Sequence, residues 1–159
     1  MFKNILVPLD GSDLAAKILP QVEEVAKMCQ AQVTVMMVGE AGIKQLAGGP
    51  SPDVFKQAAA HEKKHGEQYL EKVAGDLKAK GVDANWAYAE GMAAREIIAY
   101  ADKQGMDLIA LATHGKGEVA WVMGSTAEKV VSHATVPVLL LRVIEYKPPL
   151  LKEEFFLGA

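Results

Sequence analysis

Short apolar runs alternate with helix-spaced apolar residues along the whole chain, and this rhythm constrains the fold more than any other feature. Ile5 to Leu9 is an apolar run closed by Asp10-Gly11-Ser12. Leu14, Ile18, Val22, Val25, Ala26 and Cys29 then recur at helical spacing. Ser12 or Asp13 suits the N-cap of that helix, and Pro20 predicts a kink or a late start within it. Gln32 to Val38 reads as a second strand. Gly39 to Pro52 reads as a flexible segment ending in Gly48-Gly49-Pro50-Ser51-Pro52. Asp53 to Lys80 predicts a long amphipathic helix, with Phe55, Ala59, Gly66, Tyr69, Leu70, Val73 and Leu77 as its buried stripe and Gly81 as its stop. A strand over Val82 to Ala89 and a helix over Met92 to Gln104 follow. Leu108 to Ala112 is a continuous apolar run that suits burial on both faces. After a loop with Gly115 and Gly117 come a helix from Ser125 to His133 and a fifth strand from Val136 to Val143.

The order βαβαβαβαβ predicts an α/β fold: a three-layer open sheet of five parallel strands with helices on both faces. One domain is expected over residues 1–144. The tail, 145–159, carries Leu150, Leu151, Phe155, Phe156 and Leu157, and such an apolar tail packs on its own domain or on a partner subunit. Seventeen Lys+Arg against 20 Asp+Glu leave a charge of −3, which argues against a nucleic-acid partner. The single cysteine, Cys29, excludes an internal disulfide and a multi-cysteine zinc site, and with Met36 and Met37 it reads as core. No apolar stretch approaches the roughly 18 residues of a membrane span, and the first ten residues lack a signal-peptide h-region. A cytoplasmic protein is expected.

In open parallel sheets, ligands bind beyond the carboxyl ends of the strands where strand order reverses. If strands one and four are neighbours, Pro8–Ser12 and Thr113–Gly117 line one crevice, and the helix starting at Gly124-Ser125-Thr126 points its N-terminus there. Glycines let backbone N–H groups approach an anion, and a helix N-terminus supplies free donors and partial positive charge. Asp10 can accept from a base amino group or a ribose hydroxyl. The same glycines also read as plain turns and Ser125 as a plain cap, and spacing alone leaves both readings open.

Those stretches resemble the universal stress protein family, over Phe2 to about Val143. Ile5-Leu6-Val7-Pro8-Leu9-Asp10-Gly11-Ser12 is similar to the family's opening strand and aspartate, and DLIALATHGKGEVAWVMGSTAEKVVSHATVPVLLLR, Asp107 to Arg142, is more specific. The resemblance implies a strand order of 3-2-1-4-5. It also implies ATP, with Mg²⁺, in the branch that carries Gly-x-x-Gly, nine residues, then Gly-Ser or Gly-Thr; another branch binds no nucleotide. This chain departs from that pattern twice: Ala112 stands at the first glycine position, and eight residues separate Gly115 from Gly124. By position, Asp10 and Val38 would hold adenine and Leu9 would flank it. Gly115, Lys116, Gly117, Gly124, Ser125 and Thr126 would cradle the phosphates, with His114 as a donor or proton carrier in the same loop, or simply a loop histidine bonded to backbone. There is no GxxxxGK[ST] loop and no evident base for water, so at most a slow ATPase is expected. A stress-response switch or sensor fits better.

The rival reading is a dimeric interaction module of the same fold that binds no nucleotide. Val136-Pro137-Val138-Leu139-Leu140-Leu141 has the proline of an edge strand and the apolar character of a pairing template. The resemblance implies a homodimer through the Val136 to Val143 strand, with the tail over the seam and an unidentified protein as further partner. His61-Glu62-Lys63-Lys64-His65 matches HExxH, the zinc-protease helix signature. Set against the apolar stripe, Glu62 points to the core edge and both histidines lie on the flank. Two lysines and the lack of a third ligand oppose catalytic zinc, and a solvated helix face is the expectation. The histidine pair keeps a chelating spacing.

Overall fold

The computed structural model describes residues 1–40, 52–115 and 123–144. Their strands are β1 (Asn4–Pro8), β2 (Gln32–Gly39), β3 (Ala84–Glu90), β4 (Leu108–Ala112) and β5 (Val138–Leu141). Their helices are α1 (Asp13–Ala16), α2 (Leu19–Cys29), α3 (Pro52–Ala79), α4 (Ala93–Lys103) and α5 (Ser125–His133). The five strands form one parallel sheet in the order β3-β2-β1-β4-β5. Of the segment read as flexible, Gly39 to Pro52, Gly39 ends β2 and Pro52 starts α3, while residues 41–51 lie outside the described residues, as does the tail, 145–159.

Strand side chains alternate between two faces, and each face has its own core. Ile5, Val7, Val33, Val35, Leu108 and Ala110 pack with Ile18, Val22, Leu70, Val73 and Leu77 of the α1–α3 side. Leu6, Met36, Ile109 and Leu111 pack with Ile97, Ala101, Ala127 and Val130 of α4 and α5. Leu6 and Ile109 on the central strands are fully buried, each contributing about 1.5–3 kcal/mol of apolar transfer. The β1–β4 pairing is pinned from the side. The Asp107 carboxylate accepts from the backbone N–H groups of Lys3 (2.8 Å) and Asn4 (3.0 Å), and the Asp107 N–H donates to the Asn4 carbonyl.

Three boundaries move for physical reasons. Pro20 gives the late start: α1 ends at Ala16 and α2 begins at Leu19, with the proline in its first turn, where its missing N–H costs nothing. Val82 lies in the turn that closes α3 rather than in β3, since Gly81 adopts φ +85° and the Val82 N–H donates back to the Leu77 carbonyl. The fifth strand is Val138–Leu141, not Val136 to Val143. Pro137 has no N–H to give a ladder, and its carbonyl takes the Ile109 N–H at 3.0 Å. The other two elements near the crevice, β4 and α5, have the boundaries the sequence predicts.

Candidate functional site

A cleft of about 420 Å³ opens beyond the carboxyl ends of β1, β2 and β4. Among the described residues its wall includes Leu9, Asp10, Val38, Ala112, His114, Gly115, Gly124, Ser125 and Thr126. Nine of the eleven residues singled out from sequence therefore share one cavity. The other two, Lys116 and Gly117, lie outside the described residues. The size falls in the range of small-molecule sites, about 300–1,000 Å³.

Asp10 follows β1 and is held by its own turn. Its Oδ1 accepts from the Ser12 N–H (2.9 Å) and the Ser12 hydroxyl (2.6 Å), while Ser12 Oγ caps α1 by accepting from Ala15 N–H. Gly115, beyond β4, lies directly across: a methyl added there would collide with Asp10 Oδ2. Leu9 is 5% exposed and its N–H donates to the Met36 carbonyl, so it serves as apolar floor. Val38, half-buried, packs toward α4 and α5. Ala112 packs with the α1–α3 core. Strand alternation thus sends its methyl to the face opposite α5, so the first departure from the glycine pattern is absorbed by packing.

Two kinds of donor meet on the β4–α5 side. Gly124 starts α5 with no side-chain cap, and Ser125, Thr126 and Ala127 of the first turn line the cleft. First-turn N–H groups have no intrahelical acceptor. The turn is tethered to β4 by the Gly124 N–H donating to the Thr113 carbonyl at 2.9 Å. His114 is 5% exposed. Its Nδ1 lies 2.8 Å from Thr113 Oγ1, which accepts from the Val143 N–H at 3.4 Å. Where that hydroxyl donates to Nδ1, the imidazole hydrogen sits on Nε2. His114 Nε2 is buried and has no hydrogen-bond partner among the described residues.

Three carboxylates, those of Asp10, Glu40 and Glu62, also line the cleft, and no lysine or arginine lines it among the described residues.

Comparison with known proteins then decides the family, since the universal stress protein family model matches residues 1–142. The chain belongs to the universal stress protein family. It is 34% identical to Universal stress protein YxiE of Bacillus subtilis, across 89% of this chain and 100% of that one. Its fold is similar to universal stress protein UspA from Lactobacillus plantarum, with a TM-score of 0.78, 24% identity and coverage of 89% and 98% of the two chains. It is also similar in fold to the universal stress protein from Archaeoglobus fulgidus solved in complex with dAMP, with a TM-score of 0.61, 20% identity and coverage of 87% and 97%.

In this universal stress protein, sequence reasoning placed Thr113 in the crevice but missed Glu40, Glu62, Met37 and Ala93 as cleft residues. For Glu62 a signal existed: its helical register set it toward the core edge, and α3 carries it to the cleft mouth. Two tyrosines on the α3 side were not read as site residues, Tyr69 being expected only as part of the buried stripe. Tyr69 has a buried hydroxyl without a hydrogen-bond partner among the described residues. Burial raises its pKa above the ordinary 10, and the charges of Asp10 and Asp13 add to the rise. Tyr88 on β3 is pushed up to about 12, first by burial and then by Glu62, Glu90 and Glu67. The HEKKH segment lies on α3 with His61 and His65 exposed, as the sequence predicts, and no group of three or more metal-ligating side chains occurs among the described residues. No described helix is long and apolar enough to cross a membrane.

Proposed function

We propose that this universal stress protein binds an adenine nucleotide, ATP in particular, in the cleft between β1 and β4, and works as a nucleotide-dependent switch or sensor in a cytoplasmic stress response. The observation that carries this reading is the unpartnered His114 Nε2, buried beside the uncapped first turn of α5 and taken here as the protonated nitrogen of the ring. A buried donor without a partner costs about 1–3 kcal/mol, and an anion at a helix N-terminus would relieve it. The carboxylates in the wall suit the donor groups of a nucleoside. Phosphates belong at the Gly115, Gly124, Ser125 and Thr126 end, and Mg²⁺ accompanies them. The amino and hydroxyl donors of a nucleoside belong against Asp10 and the neighbouring carboxylates, with Leu9 and Val38 as apolar contacts. The dAMP found with a relative of the same fold agrees in ligand class. Turnover is expected to be slow at most, because the chain lacks the paired lysine and hydroxyl of a P-loop.

The test is direct. Protein purified without added nucleotide is denatured, and the supernatant is separated by ion exchange with adenine absorbance. Stripped protein is then titrated with ATP and Mg²⁺. Stoichiometric release or saturable binding is expected. His114→Ala should weaken affinity about 10- to 100-fold, the worth of one hydrogen bond to a charged group. Neither release nor binding at millimolar ATP would remove the nucleotide reading.

A second reading has its own observation. β5 is an edge strand, Val138 to Leu141, and all four residues are only half-buried. An apolar edge is a template for a second copy of the chain. We expect Leu139→Lys to shift a homodimer toward monomer in light scattering while leaving ATP affinity unchanged. A monomeric parent protein would set pairing through this edge aside.

A further inference from the structure

His61 and His65 stand one turn apart on α3, both exposed, with Nε2 atoms 3.0 Å apart and ring centroids 4.2 Å apart. Neither histidine lines the cleft, although Glu62 between them does. Two imidazole nitrogens at i and i+4 on one helix face are a bidentate set for a divalent transition ion. With metal–nitrogen distances of ~2.05 Å, a 3.0 Å separation subtends about 94° at a shared metal. That is close to the 90° between neighbouring ligands of a tetragonal or octahedral ion; a tetrahedral zinc would spread the nitrogens to ~3.3 Å. Imidazole suits copper and nickel, and affinity peaks at Cu²⁺.

The surrounding charges permit this. At 3.6 residues per turn, Lys63 projects from about the opposite side of α3, and Lys64 is about 80° from the middle of the pair. Glu62 is about 80° away on the other side and offsets Lys64. The two lysines that oppose a zinc site in the sequence are thus not both neighbours of the pair. Among the described residues no third ligating side chain joins the pair to make a protease centre, so water would complete the shell.

The geometry points to a surface chelate at His61 and His65 for a divalent transition ion that favours near-right-angle imidazole coordination, Cu²⁺ foremost and Ni²⁺ next. It lies outside the nucleotide cleft and does not depend on that site being functional. Binding there ties one turn of α3 to the next, so the ion stabilises the folded chain.

The test uses untagged full-length protein titrated with copper(II) chloride, followed by calorimetry and electron paramagnetic resonance, with a thermal melt in parallel. The expected result is a saturable equivalent with nitrogen hyperfine structure and a rise in Tm. Either His61→Ala or His65→Ala should weaken that equivalent at least tenfold. The double variant should bind one equivalent fewer than the parent, and His133→Ala should behave as the parent. A double variant with unchanged stoichiometry and affinity would overturn the assignment, as would a parent spectrum without nitrogen coupling. Circular dichroism of the double variant confirms that α3 is intact, so loss of copper reports the ligands and not the fold.

Discussion

Gly115→Val should abolish nucleotide binding, lowering ATP affinity at least 100-fold, while the protein stays folded. The first added carbon already meets the Asp10 carboxylate. That carboxylate has little freedom to retreat, because its other oxygen holds the Ser12 N–H and hydroxyl at 2.9 and 2.6 Å. Moving it breaks the turn that caps α1, and leaving it forces Gly115 and the His114 that precedes it away from α5. Either response moves Asp10 or Gly115 out of its place in the cleft wall. The fold should suffer less, since Asp10 is exposed and lies beyond the core strands; a loss of about 0.5–1.5 kcal/mol, the worth of one or two local hydrogen bonds, is expected. Calorimetric titration with ATP, set beside a urea melt of the same sample, separates the two effects. Undiminished affinity in a folded Gly115→Val protein would mean that nucleotide, if bound, sits elsewhere.

The second large effect concerns stability. Gly66 is buried on α3, and a side chain there would bring its first carbon to 2.6 Å from Tyr88 Cε2 and 3.0 Å from Met37 Sδ. The far end of the same tyrosine lies against Gly39, where an added methyl would collide with the hydroxyl. Gly39 and Gly66 thus form a socket for Tyr88 between β2, β3 and α3. Gly66→Val gains a few tenths of a kcal/mol in helix propensity. Overpacking costs about 1–3 kcal/mol, so destabilisation wins. For a chain of this length the melting temperature should fall by about 3–10 °C. The cycle with Tyr88→Ala identifies the cause: if the ring is the obstacle, Gly66→Val costs much less in the Tyr88→Ala background. Equal costs in both backgrounds would place the strain on Met37 or the backbone instead.

The candidate site was only partly legible in the sequence. Loop glycines, the strand-end aspartate and the Ser125 helix start were visible because turn chemistry and capping are local. His114 was visible as a residue, but its burial and its unpartnered Nε2 were not. Those appear only in the fold, where Val143 beyond β5 also donates to Thr113, a contact no local pattern encodes. Glu40 was hidden in a stretch with no periodic signal. The histidine pair shows the same division: spacing put both rings on one face of α3, while the 3.0 Å approach of their nitrogens depends on the rotamers the folded helix allows.

By itself the sequence determined that this chain is an α/β protein with five buried or half-buried strands, where β4 and α5 begin and end, and that Pro20 splits the first helix. Each follows from side-chain period, capping or a missing N–H, and each acts within a few residues. The tertiary structure alone decided that Asp10 faces Gly115 and that three carboxylates share one cleft with an uncapped helix start. It also decided that Ala112 turns its methyl into the core and that two glycines far apart in sequence make room for one tyrosine. Period tells a residue which face it occupies but not what lies opposite. In a parallel sheet the neighbours of β1 come from distant parts of the chain, so opposition is settled only when the crossovers close.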